Sequence, residues 1–338
     1  MLSASRRPGP GRRQGGAGQL VDMGLLLLIA VAAGTASALL AAGVAAGSAV
    51  AVPLFYLAPL PVMIAGVAFA PVAALIAVAV ASLGLLAAFN GPFALAYLAG
   101  LGAPAFVLSY AALLARPDPA AREGLVWFPV SGLLLVAAGL AAAAVGLALF
   151  SMAGSYEDYL STIDAAFAAM LGTHEAPMPG GDPAAMGRLV ARLMPPIAGA
   201  ITFIAYIGAL YLAGRAALVS ERLARPWPSL HLLRIPASAG AAFALALAAS
   251  MLPSLLGLAA TAAAAALLMV YAMAGFALVH ALTVGHPARP MLLGALWVTT
   301  LLFGWPLFGI AVLGLADSFL DLRSRVRSAG GPPAANDR

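Results

Sequence analysis

The sequence predicts an all-α protein, a polytopic bundle of transmembrane helices, and three observations carry that prediction. Of its 338 residues, 63% are hydrophobic and 9% charged, whereas soluble domains run at roughly 45–50% and 25%. The mean hydropathy is +1.02. No charged side chain occurs between Asp22 and Arg116. A chain this apolar could not cover a soluble surface, so the solvent for most of it is lipid.

A bilayer crossing takes roughly 20 apolar residues, so the block after Asp22 holds about four. Helices are expected near 24–46, 53–70, 72–89 and 92–114. They are separated by Pro53, the Pro59-Leu60-Pro61 pair, Pro71 and the Asn90-Gly91-Pro92 turn, where proline or glycine interrupts the helix. The first run is longer than a signal-peptide core and is followed by more spans, so it is read as a retained helix. A short loop with Arg116, Asp118, Arg122 and Glu123 leads to a fifth run, from Trp127 to about Met152.

Residues 153–194 change character, with Glu157, Asp158, Asp164, Glu175 and Asp182 against Arg188 and Arg192. Tyr156, Tyr159, Leu160, Ile163, Phe167, Met170 and Leu171 recur at helical spacing, which predicts an acidic amphipathic helix lying on the membrane surface. A second short helix starts at Asp182-Pro183, and Pro195-Pro196 is expected to turn the chain back into the membrane. A sixth span near 195–214 leads into Arg215, Arg222, Arg225 and Arg234. Apolar runs at 236–252, 255–284 and 290–316 follow, then Arg323, Arg325 and Arg327. The spans total about eight, with eight to ten allowed by the pattern.

The organisation expected is therefore a disordered basic cytoplasmic tail (1–22), a first transmembrane block (23–152), an extracytoplasmic loop with two amphipathic helices (153–194), a second block (195–316) and a cytoplasmic tail (317–338). Arginine placement puts the N-terminus, the 116–126 loop and the 215–234 segment in the cytoplasm, with the bacterial inner membrane as the expected location. Three runs after 234 would leave the C-terminus outside, against its arginines. Either one run is re-entrant or the last splits at Trp305-Pro306.

All seventeen basic residues are arginine and the net charge is +5. The absence of lysine fits the codon bias of a GC-rich genome. The arginines are scattered over loops and ends rather than massed, so no nucleic-acid partner is expected. Zero cysteines exclude disulfides, thiolate metal sites and a cysteine nucleophile. No buried carboxylate or arginine falls mid-span, although ion-coupled pumps ordinarily carry one. No phosphate-binding loop, Gly-x-Ser-x-Gly elbow or His-Glu-x-x-His occurs. No cofactor, metal or enzymatic activity is expected. Convergence of Glu157, Asp158 or Asp164 on His174 is what a membrane enzyme would need. His280 and His286, six apart, read as an interfacial pair.

Asn90, Tyr97, Tyr110, Tyr206, Tyr211, Tyr271, Trp297, Thr299 and Thr300 could line a cavity, or serve as interfacial anchors and interhelical hydrogen-bonding groups. Small residues at four-residue spacing (Ala32 with Ala36, Ala38 with Ala42 and Ala46, Gly43 with Gly47) offer the first helix a close-packing face. Asp317, Asp321 and Arg323 are the candidate partner-contact residues. The two aspartates share a helix face where the last run ends, positioned for a partner, for the 215–234 arginines, or simply to mark the membrane boundary.

Two stretches carry a resemblance. Pro53-Leu54-Phe55-Tyr56-Leu57-Ala58-Pro59-Leu60-Pro61, continuing through Ala70-Pro71, and Gly314-Leu315-Ala316-Asp317-Ser318-Phe319-Leu320-Asp321-Leu322-Arg323 together resemble the YybS-like family of bacterial membrane proteins, a domain of unknown function. That family is distantly similar to the S components of energy-coupling-factor transporters. The resemblance implies a small-molecule binding subunit in the lipid bilayer, served by a transmembrane coupling protein with ATPases, with the small-residue face of the first helix as the docking surface. It transfers no ligand-binding residue. The alternative from the residues themselves is a non-transporting membrane scaffold or assembly protein.

Overall fold

A computed structural model describes residues 17–47, 50–121, 124–172 and 183–323. Thirteen α-helices and a two-stranded ribbon account for most of them. Seven helical segments are long and apolar enough to cross a bilayer: Met23–Ala45, Ala51–Ala68, Pro71–Ala88, Gly91–Ala112, Val130–Met152, Ala185–Val219 and Leu255–Leu282. The chain is a multi-pass integral membrane protein.

The first span is α1 (Ala17–Ala42), extended by one 3-10 turn. The second breaks at Ala58 into α2 (Ala51–Leu57) and α3 (Pro59–Ala68), where Pro59 and Pro61 withhold two N–H groups from the ladder. The third is α4 (Pro71–Ala88), and Pro71 opens it at a position whose N–H would be unpaired anyway. The fourth joins α5 (Gly91–Tyr97) to α6 (Ala103–Ala112) through a π-helical turn at Leu98–Gly102. Asn90 starts α5, its side-chain oxygen accepting from Phe93 N–H at 2.9 Å, so the Asn-Gly-Pro sequence is a helix cap.

The expected 116–126 loop carries a short ribbon, β1 (Ala115–Pro117) paired antiparallel with β2 (Leu125–Trp127). It delivers the chain to α7 (Val130–Met152). Next comes α8 (Tyr156–Gly172), the amphipathic helix predicted for this stretch: Tyr159 and Ile163 are buried, Glu157 and Asp158 exposed.

Pro195-Pro196 is not a turn. A single 37-residue helix, α9 (Pro183–Val219), runs through both prolines, so the expected boundary at 194/195 falls within a helix. Gly187 and Ala191 of this helix meet Asp164 and Tyr159 of α8 just before the prolines.

After α9 the chain has only one 3-10 turn (Leu230–Leu232) before α10 (Ser238–Ala249), then forms α11 (Leu255–Leu282), α12 (Arg289–Phe303) and α13 (Pro306–Leu320). At about 1.5 Å per residue, α10 with its 12 residues spans only about 18 Å, well short of a bilayer core. The last apolar run does split, at Gly304 with φ +70° and Pro306 as the first residue of α13.

α11 is the central helix, packed on α7, α9, α10 and α13. Lipid tails are as apolar as leucine, so close van der Waals contact rather than water exclusion holds such helices. At Gly275 and Gly314 an added Cβ would meet the carbonyl oxygens of Ile310 and Tyr271 respectively. The two backbones therefore touch, running in opposite directions. The main core adds Val62, Met63, Leu108, Leu134, Phe203 and Val270 around these contacts.

The small-residue face of α1 differs from the expected one. Ala30, Gly34, Ser37 and Ala41 are the buried residues, and Gly34 lies against the backbone of Ala77 in α4. Ala32 is exposed, while Ala36, Ala38 and Ala42 are half-buried. In an alanine-rich helix several small-residue stripes coexist, and the buried one is the stripe whose Gly34 meets α4.

Candidate functional site

Two prolines create the site's scaffold by leaving helix carbonyls without donors. Pro104 has no N–H for Gly100, four residues back, and Pro195 has none for Ala191. An unpaired carbonyl in an apolar interior costs about 1–3 kcal/mol. A tyrosine from another helix supplies each missing donor. Tyr206 of α9 donates its hydroxyl to Gly100 O, and Tyr159 of α8 donates to Ala191 O at 2.9 Å. Both rings are buried. The first bond fixes α9 to the π-helical turn, and the second fixes α8 onto α9.

A third polar link sits alongside. Ser37 donates to Ala58 O at 2.6 Å and shares a hydrogen bond with Tyr97 at 2.7 Å. It ties α1 to the break between α2 and α3 and to α5. The break at Ala58 and the π-helical turn thus each have a neutral polar partner from another helix.

These links frame a cavity of about 580 Å³ between α2, the π-helical turn, α7, α8 and α9. Its wall is mostly apolar, with Ala96, Ala99, Ala144, Ala148 and Ala198 set among larger side chains such as Phe55, Leu101, Leu147, Met152 and Met194. Tyr56, Ser151, Thr202, Tyr159 and the Gly100 backbone supply the polar atoms. Among the described residues no charged side chain lines it. The cavity lies at the α8 end of the bundle. Arg215 is 21 residues further along α9 than Met194, about 30 Å away. Tyr159 and Ile163 of α8 form part of the lining, so the amphipathic helix is both cover and wall.

Tyr159 is the one titratable wall group on α8. Burial raises its pKa above the ordinary 10.0, and Tyr156 adds a smaller push in the same direction. It remains a neutral donor at all physiological pH values.

The residues singled out from sequence divide among several roles. Tyr97 and Tyr206 pair as described. Tyr211 meets Trp227 edge-on at 5.6 Å at the other end of α9, Tyr271 packs on Phe243 in the core, and Tyr110 is exposed. Trp297 stacks on Phe276 at 4.3 Å. Thr299 and Thr300 bond back to their own helix. His280 bonds to Phe276 O and His286 to Ala288 N–H. Among the described residues no cluster of three potential metal ligands forms. Glu157 and Asp158 are exposed, whereas Asp164 is half-buried and faces Gly187 of α9. His174 lies outside the described residues.

Tyr56, Ser151 and Thr202 are cavity residues that sequence reasoning missed. The usable signal was indirect: each proline inside a helix announces an orphaned carbonyl, and hence a polar partner elsewhere.

Asp317, Asp321 and Arg323 cluster within the chain. Asp317 pairs with Arg323 Nε at 3.1 Å, with both side chains about 5% exposed or less. Arg323 also donates to His231 O at 2.7 Å and Leu233 O at 2.8 Å. Asp321 pairs with Arg234 at 2.9 Å, with both about half exposed. The end of α13 is thereby fastened to the 229–235 segment before α10.

Neither protein-family models, nor curated proteins, nor solved structures give a match to this chain.

Proposed function

We propose that this protein is a membrane-embedded binding subunit for an uncharged, largely apolar small molecule, held in the cavity beneath α8. The observation that carries the reading is the 580 Å³ space itself, with its alanine-rich wall and neutral hydrogen-bonding groups. Ligand sites are concave and mostly apolar with a few placed polar atoms. A charged ligand would enter without a counter-charge and lose its hydration uncompensated. Hydroxyl, ether, amide or carbonyl groups would be met by Tyr56, Thr202 and Ser151.

The chain carries no phosphate-binding loop. In the seven long spans the described residues between 195 and 214, and in the apolar cores of the other six, include no acid or arginine to couple an ion gradient. Uptake would therefore draw on a transmembrane coupling protein with ATPases, in line with the resemblance to energy-coupling-factor S components. The placement in a bacterial inner membrane with α8 external belongs to this same reading.

The alternative, a non-transporting scaffold, is favoured by α12. This apolar helix has no buried residue, and Met291, Leu301, Leu302 and Phe303 are largely exposed. A partner helix could lie there in place of lipid.

The test is extraction of small molecules from the purified protein in mild detergent, comparing wild type with Ala148→Phe and Thr202→Phe. Enrichment of one neutral compound by the wild type, and its loss from both filled variants, is the expected result. Equal recovery from all three, or no enriched compound alongside a co-purifying membrane complex, would overturn the binding reading in favour of the scaffold.

A further inference from the structure

A second, smaller cavity of about 130 Å³ lies at the opposite end of α9. Leu133 and Leu134 of α7, Ile207 and Leu210 of α9, and Met273 of α11 make an apolar slot. Trp227 and Arg225, from the segment after α9, complete it. The slot differs from the first cavity in what surrounds it. The Arg215 guanidinium lies over the Trp227 ring at 5.4 Å, and that of Arg222 over Phe69 at 4.6 Å. Phe69 is two residues from Val67, another residue of the slot.

Arg225 enters the slot itself. It donates to Ala112 O at 3.0 Å, capping the end of α6, and to Phe128 O at 3.4 Å, while its Nε is buried without a hydrogen-bond partner. Among the described residues no carboxylate pairs with Arg215, Arg222 or Arg225. Arg234, by contrast, has Asp321. Arg225 thus lines the slot and Arg215 and Arg222 lie beside it, none of the three ion-paired with a carboxylate among the described residues.

We propose that this is a binding site for an anionic phospholipid, with an acyl chain in the Leu133–Ile207–Met273 slot and the headgroup phosphate against Arg215 and Arg222. The ligand is defined by the combination. An apolar slot alone suits any tail, and surface arginines alone suit any anion, but a tail joined to a phosphate matches both. Basic pockets between helices on the cytoplasmic side hold anionic headgroups by the same logic. The arginine bias that sets membrane orientation would place this end in the anionic leaflet.

Native mass spectrometry of the delipidated protein in detergent tests the site, titrating phosphatidylglycerol against phosphatidylcholine of identical chains. The variants are Arg215→Gln with Arg222→Gln, both with exposed side chains, and Gly214→Leu, which projects into the slot. Arg225 is left intact because it caps α6. The wild type is expected to retain phosphatidylglycerol preferentially. The double variant should lose about twenty-five-fold of that preference, at about fivefold per arginine. Gly214→Leu should weaken both lipids together. Equal affinity for the two lipids, an unchanged preference in the double variant, or equal protection of the site by inorganic phosphate alone would each overturn the proposal.

Discussion

Replacing Tyr159 by phenylalanine deletes one oxygen atom, and the structure sets what that deletion costs. The Tyr159 hydroxyl is the donor to Ala191 O, which Pro195 has deprived of its helix partner. A typical hydrogen bond contributes about 0.5–1.5 kcal/mol net, and a buried acceptor left unpaired costs about 1–3 kcal/mol. Interhelical bonds in membrane proteins fall toward the lower end, about 0.6 kcal/mol and at most about 1.7. Tyr159→Phe should therefore destabilise the α8–α9 contact by about 1–1.5 kcal/mol. Substituting Pro195 with alanine restores an N–H four residues after Ala191, so the carbonyl regains an intrahelical donor. In that background the same Tyr159→Phe change should cost about 0.5 kcal/mol or less. The coupling between the two positions, near 1 kcal/mol, corresponds to about a fivefold change in the equilibrium for α8 detachment. The assay is a double-mutant cycle on purified protein in detergent, reading unfolding midpoints and the rate of proteolytic cleavage within α8. An equal cost for Tyr159→Phe in both backgrounds would refute the argument that this tyrosine replaces the proline's missing hydrogen bond.

The same residue predicts a pH dependence. Because the pKa of Tyr159 is raised in the folded state, its contribution is complete below the ordinary value near 10 and is lost as pH rises through the higher folded value, where the detached state ionises first. Cleavage within α8 should accelerate above about pH 10 in the wild type and less so in Tyr159→Phe, with equal acceleration in both contradicting the assignment. At the end of α13 the two ion pairs should behave unequally. Asp317→Asn leaves the buried Arg323 without its anion and should cost about 3–5 kcal/mol. Asp321→Asn, at a half-exposed pair, should cost about 1 kcal/mol or less. Unfolding midpoints of the two variants check this, and similar values for both would show that burial does not control the cluster.

Much of this architecture was legible in the sequence because lipid imposes one strong demand, long uninterrupted apolar helices. The breaks at Pro59, Pro71 and Asn90, and the buried stripe of Tyr159 and Ile163 on α8, follow directly from residue chemistry. Pro195-Pro196 misled because local propensity treats a proline pair as a helix end. The structure keeps the helix by supplying Tyr159 from 32 residues away, which no local pattern reports. The cavity was hidden for a related reason. A wall of alanines reads as packing, and its emptiness depends on how far α8, α7 and the π-helical turn stand apart. The partner residues of the Asp317 cluster were only partly visible: Arg234 belonged to a recognised arginine-rich segment, while the backbone oxygens of His231 and Leu233 carry no sequence signature.

The central claim is that the space beneath α8 is an accessible, ligand-sized cavity, and thiol labelling tests it most directly. The chain contains no cysteine, so single cysteines report without background. Ala148→Cys faces the cavity, whereas Ala141→Cys is fully buried on the same face of α7, two turns earlier. A small polar maleimide applied to intact membranes should modify Ala148→Cys and Thr202→Cys and leave Ala141→Cys untouched, with Tyr159→Phe raising the rate at both cavity positions. Absence of labelling at Ala148→Cys and Thr202→Cys, in folded protein and with denatured controls reacting fully, would contradict the account.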